Sequence, residues 1–138
     1  MKILKGIAVI FVLSITAACM GVQADDYLTL VGVDIPGWNG SYTTKNVKKT
    51  IDNDQFVKTV GTTDNRGVKV LLKDSKGDQG TYKNLSIGNC VGIIGSDGVG
   101  AYAGTYNLTF KTIDFHVTTT EYTGSWLLDG GLYNSICK

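Results

Sequence analysis

The sequence predicts an all-β fold: a small antiparallel β-sandwich or barrel of about seven to nine short strands, closed by one disulfide. Three observations carry that expectation. Apolar side chains recur with period two, turn-forming pairs separate the runs, and two cysteines follow an apolar leader.

The alternation is clearest at Val68, Val70 and Leu72, which share one face while Lys69 and Lys73 occupy the other. Tyr102, Gly104, Tyr106, Leu108 and Phe110 form a second apolar face opposite Thr105, Asn107, Thr109 and Lys111. Apolar parity then switches to Ile113, Phe115 and Val117, as a bulge or a strand change near Lys111-Thr112 would produce. Thr, Val, Ile and Tyr dominate these runs, as expected of strands. Asn39-Gly40, Asn65-Arg66-Gly67, Lys76-Gly77, Asp97-Gly98 and Asp129-Gly130-Gly131 punctuate them, and such residues tolerate the positive φ of tight turns.

Only the 45–60 segment has helical potential, with Val47, Ile51 and Phe56 near one helical face. Thr50, Thr59 and Asp52-Asn53-Asp54 oppose a helix, so two strands around a turn are expected. Gly40-Ser41-Tyr42, Gly80-Thr81-Tyr82, Gly104-Thr105-Tyr106 and Gly124-Ser125-Trp126 repeat one pattern at unequal spacing. The irregular spacing excludes a repeat architecture and suggests starts of strands, each with an aromatic docked on the core.

Residues 1–24 have the anatomy of a secretory signal. Lys2 and Lys5 precede the apolar segment Gly6–Ala18, and Val22-Gln23-Ala24 places small side chains for cleavage between Ala24 and Asp25. The apolar stretch is short for a bilayer span of about 20 residues. Lipidation at Cys19 is the less favoured alternative, because Thr16 stands where such signals carry Leu. The expected product is a single all-β domain, 25–138, secreted to an extracellular or periplasmic space. Its remaining cysteines, Cys90 and Cys137, then allow one intramolecular disulfide, whereas a metal site would need His or Cys neighbours at ligand spacing.

Beyond the leader, 11 basic side chains face 12 acidic ones, a net charge of −1. That balance excludes the basic footprint of a nucleic-acid binder. Forty-three per cent apolar content excludes a disordered chain.

Catalytic signals are sparse. His116 is the only histidine; Asp114 would share its strand face, and Ser86, Ser96 and Ser125 lack the setting of an activated nucleophile. Gly98-Val99-Gly100-Ala101-Tyr102-Ala103 matches a dinucleotide fingerprint in letters, but alternation rather than a helix follows it. Asp74–Gly80 resembles the start of a calcium loop, yet Lys76, Gln79 and Leu85 occupy positions where that loop needs a ligand, a glycine and a glutamate. A looser site shared with Asp52 and Asp54 is the alternative. No cofactor and no metal centre are expected.

Two surfaces invite a binding role. Pro36-Gly37-Trp38-Asn39-Gly40 sets an indole among turn formers, so Trp38 and Asn39 are the candidate binding residues. The competing reading folds Trp38 back over the end of the core. The Gly-rich 91–110 region would form an amphipathic hairpin of the kind that lines membrane pores. Asn39, Asn84 and Asn107 each head an Asn-x-Ser/Thr triplet, relevant where the secretory pathway glycosylates. The function expected is non-catalytic binding of a surface glycan, an envelope component or a protein. The alternatives are a membrane-active, bacteriocin-like toxin and, third, a small secreted hydrolase.

Overall fold

The structure is a computed structural model that describes residues 27–96 and 98–138. The cleavage point at Ala24 and Asp25, the lipidation alternative at Cys19 and residue Asp97 lie outside the described residues.

Two antiparallel sheets face each other, as in a sandwich rather than a closed barrel. The first has the order β1-β9-β4-β7, built from Tyr27–Ile35, Thr120–Leu127, Phe56–Thr62 and Cys90–Gly92. The second has the order β2-β8-β5-β6, from Tyr42–Thr43, Gly104–Thr112, Val68–Asp74 and Lys83–Asn84. A further strand, β3 (Val47–Lys49), pairs with β8 beyond β2. A short helix, α1 (Tyr133–Cys137), ends the chain. No helix among the described residues is long and apolar enough to cross a membrane.

Period-two patterning explains which faces turn inward. Val68, Val70 and Leu72 are buried in β5, as are Tyr106, Leu108 and Phe110 in β8. From the other sheet, Val57, Tyr122 and Trp126 meet them, with the Phe110 and Tyr122 rings 4.7 Å apart between centroids. The 45–60 segment is two strands around a turn, β3 and β4, as its β-branched residues and Asp-Asn-Asp cluster predict.

Two readings of the alternation need correction. Tyr102 does not join the face of Tyr106; β8 starts at Gly104, and Tyr102 is exposed in the loop before it. Ile113, Phe115 and Val117 do not continue a bulged strand. The chain leaves the sheet after Thr112, whose hydroxyl donates to the Asp114 carbonyl, while the Ile113 N–H donates to the Gly67 carbonyl. All three apolar side chains are consequently exposed. The Gly-rich 91–110 region is no hairpin either. β7 lies at the edge of one sheet and β8 inside the other, so the intervening loop bridges the sandwich instead of turning back on itself.

Cys90 and Cys137 are joined, with Cα atoms 5.8 Å apart across 47 residues. The bond fastens α1 to the edge strand β7. Tyr133 packs on Phe56 at 4.8 Å between ring centroids, and the Lys58 ammonium donates to the Ile136 carbonyl.

Candidate functional site

The turn after β1 shows how Trp38 is presented. Gly40 N–H donates to the Gly37 carbonyl at 3.1 Å, closing a four-residue turn with Trp38 and Asn39 at its centre. Both central residues are left-handed, with φ of 58° and 61°. Two positive φ angles define a type I′ turn, for which Asn and Gly are the favoured residues. A bulky side chain there is an outlier that costs about 1–2 kcal/mol. The strained residue is also the one left outside: Trp38 is 72% exposed. It is not the core tryptophan; that place belongs to Trp126, whose indole N–H donates to the buried Gln55 side-chain oxygen at 2.9 Å.

Such a conformation persists only where neighbours over-determine it. Trp38 N–H donates to the His116 carbonyl at 2.8 Å. Gly37 lies so close to the Val117 carbonyl that any Cβ would overlap it. The ring of Phe115, itself 55% exposed, meets the indole edge-on, 5.7 Å between centroids and 77° between planes. An edge contact braces the indole without covering both of its faces.

The loop that carries Phe115 is in turn held from outside the site. The Arg66 guanidinium donates to the Thr118 and Thr120 hydroxyls at 2.9 and 3.0 Å and to the Thr118 and Thr119 carbonyls at 3.4 Å. Arg66 follows a second left-handed pair, Asp64 and Asn65. Two turns and one loop thus converge on an aromatic pair at one end of the sandwich, with Asn39 exposed beside it. Phe115 and Arg66 went unmarked as site residues in the sequence. In the sequence Phe115 is one member of an apolar run, and the Asn65-Arg66-Gly67 turn gives no sign of reaching fifty residues ahead.

The other sequence candidates have different surroundings. His116 and Asp114 lie in the loop between β8 and β9, not on a strand face. Ser125 sits between Thr29 and Lys58, five residues into β9 and so about 17 Å along the strand from its start. Ser86 accepts from the Asn89 side chain near β7. The 98–103 glycine motif leads into strand β8, so its amides do not open a helix over a pyrophosphate. In the 74–80 segment Asp74 Oδ1 accepts the Lys76 and Asp78 N–H groups at 2.9 Å each, forming a capped turn. Asp52 Oδ1 accepts the Ala103 N–H at 2.7 Å. Among the described residues no group of three or more His, Cys, Asp or Glu is placed to hold a metal ion. Asn39 and Asn84 are exposed, whereas Asn107 is half-buried and donates to Asn46.

No family model matches the chain, and neither the curated proteins nor the solved structures contain a match to it.

Proposed function

We propose that this chain is an exported, non-catalytic binding domain that stacks Trp38 against a sugar ring of a surface glycan. One observation carries the reading: an indole held in a strained left-handed turn and left 72% exposed. Burying that ring would stabilise the fold by a few kcal/mol, and a glycine would remove the strain. Keeping both costs makes sense where the indole has an external partner. An aromatic face with a neighbouring carboxamide suits a pyranose, whose C–H face stacks while its hydroxyls bond. The leader and the disulfide fit export, since disulfides persist in oxidising compartments.

The test is retention on polysaccharides prepared from cell surfaces, with calorimetry on the fragments that bind. Trp38→Ala should weaken binding about tenfold or more while leaving the melting temperature close to that of the parent. Equal binding by parent and variant would overturn the reading.

A membrane-active function is the second reading, favoured by Phe115 and Val117, which add exposed apolar surface beside Trp38. Dye release from vesicles at micromolar protein, abolished by Trp38→Ala, would place it first; intact vesicles support the glycan reading.

A further inference from the structure

At the opposite end of the sandwich, where β8 begins, lies a cleft of about 270 Å³ between the 74–78 turn and the 98–106 segment. β8 spans about 27 Å from Gly104 to Thr112, so this cleft and the Trp38 loop cannot share one sugar ring. Both walls are fixed. On one side, Asp74 caps its own turn, and Ser75 N–H donates to the Thr105 carbonyl at 3.0 Å. On the other, the buried Gln55 amide donates to the Gly100 carbonyl at 2.8 Å and Asp52 holds Ala103. Gly100 is left-handed, with φ 103°, and a Cβ there would overlap Leu72.

Tyr102 lines this cleft. The Tyr106 hydroxyl donates to its carbonyl at 2.6 Å, yet its own ring is 67% exposed. The backbone is anchored while the aromatic face is offered to solvent. Asp74 and Asp78, whose carboxylates accept hydrogen bonds, and Lys76, whose ammonium donates them, line the same cleft. Burial raises the Tyr106 pKa above its ordinary value, with the charges of Asp74 and Asp52 adding to the effect.

An aromatic face, paired acceptors and a donor around a preformed hollow are the elements that recognise a polyhydroxylated ring. We propose that this cleft is a second saccharide site, binding one sugar ring on Tyr102 with its hydroxyls bonded to Asp74 and Asp78. The proposal rests on the glycan reading of the Trp38 loop and extends it, giving two sites on opposite ends of one domain. Such a domain would join two glycan strands rather than track along one, and tethering at both ends would raise avidity without new contacts.

The experiment is amide chemical-shift mapping on the disulfide-closed protein, titrated with glucose, N-acetylglucosamine, xylose, mannose and their short oligomers. Expected are two separate groups of shifting amides, one at residues 37–40 and 115–117, the other at 74–78 and 100–105. Tyr102→Ala should abolish the second group or weaken it about tenfold while preserving the first, and Trp38→Ala should do the reverse. Asp74→Ala removes the cap of its turn as well as the contact, so Asp78→Asn serves as the second variant and should weaken the cleft alone. Shifts confined to the Trp38 group would overturn the second site and leave the first standing. Shifts confined to the cleft would overturn the Trp38 reading instead, and no shift in either group with any of these sugars would overturn both.

Discussion

Trp38 is where a single backbone angle and a single side chain conflict. A glycine at φ 58° would relieve the left-handed strain, so Trp38→Gly should abolish binding and leave the melting temperature unchanged or higher. Thermal melting beside a retention assay checks both halves, and a large fall in melting temperature would show a structural role instead. Two titrating groups give independent readouts of the fold. Burial pushes the Tyr122 phenol up to about 12, only partly offset by its hydrogen bond with Thr59. The folded state therefore keeps this proton after the unfolded chain has lost it. The contribution is complete below the ordinary value of 10.0 and disappears as pH rises from 10 towards about 12. Tyr122→Phe should show a shallower decline in stability over that interval. Asp129 shifts the other way, mainly because the Asn53 amide donates to its carboxylate, with help from Gly131 N–H and the charge of Lys49. Its contribution is present above the ordinary value of 3.8 and lost as pH falls below that value through the folded pKa. The melting-temperature gap between the parent and Asp129→Asn should accordingly narrow in acid below about pH 4.

At the scale of elements, the loops do much of the organising. The segment between β3 and β4 ties three regions together. Gln55 reaches Trp126 and Gly100, Asp52 reaches Ala103, and Asn53 accepts from Gly130 N–H at 3.1 Å. Lys49, only 2% exposed, donates to Asn53 at 2.6 Å and to the Leu128 carbonyl. Replacing it with Met takes the donor from the buried Leu128 carbonyl and one of the two bonds from Asn53, so Lys49→Met should cost about 2 kcal/mol or more in denaturant unfolding. Strand β9 depends on close approach in a similar way. Both neighbours shift register beside its middle, β1 between Leu30 and Val33 and β4 between Thr59 and Gly61. Gly124 lies between them, where a Cβ would overlap the Lys58 carbonyl and the Tyr122 hydroxyl. The turn carrying Trp38 and the loop carrying Phe115 meet at the same kind of contact, Gly37 on the Val117 carbonyl. Gly37→Ala should push the two apart, losing the Trp38–Phe115 cross-peaks in a nuclear Overhauser spectrum and weakening glycan binding without touching the ligand.

For the molecule as a whole, the disulfide adds a covalent constraint to the sheet pairing. Closing a loop of 47 residues restricts the unfolded chain by about 4 kcal/mol in chain entropy. Loss of the bond in a Cys90→Ser, Cys137→Ser double variant should lower stability by about 2–4 kcal/mol and free α1 from the Phe56 edge. Equilibrium unfolding measures the first effect and amide exchange in residues 133–138 the second. The Trp38 loop lies on other elements, at the turn after β1, so the double variant should retain binding below its melting temperature.

The all-β class, the inward faces of β5 and β8 and the Cys90–Cys137 bond were all legible in the chain. Alternation along a strand and the pairing of two cysteines are properties of residues read in order. Strand β1 escapes recognition because an extra residue between Leu30 and Val33 interrupts its period, whereas β9 is marked in the sequence only by Gly124-Ser125-Trp126, a triplet that falls inside the strand rather than at its start. Trp38 and Asn39 were legible as a turn, but the same five residues fit an exposed ring and a buried one equally well. What decided exposure was the left-handed turn, held from outside by the His116 and Val117 carbonyls some eighty residues further along the chain. The apolar parity of Ile113, Phe115 and Val117 resembled a strand because parity records spacing alone. Whether such a run enters the core depends on where the sheet ends, and that is set by contacts between segments distant in sequence.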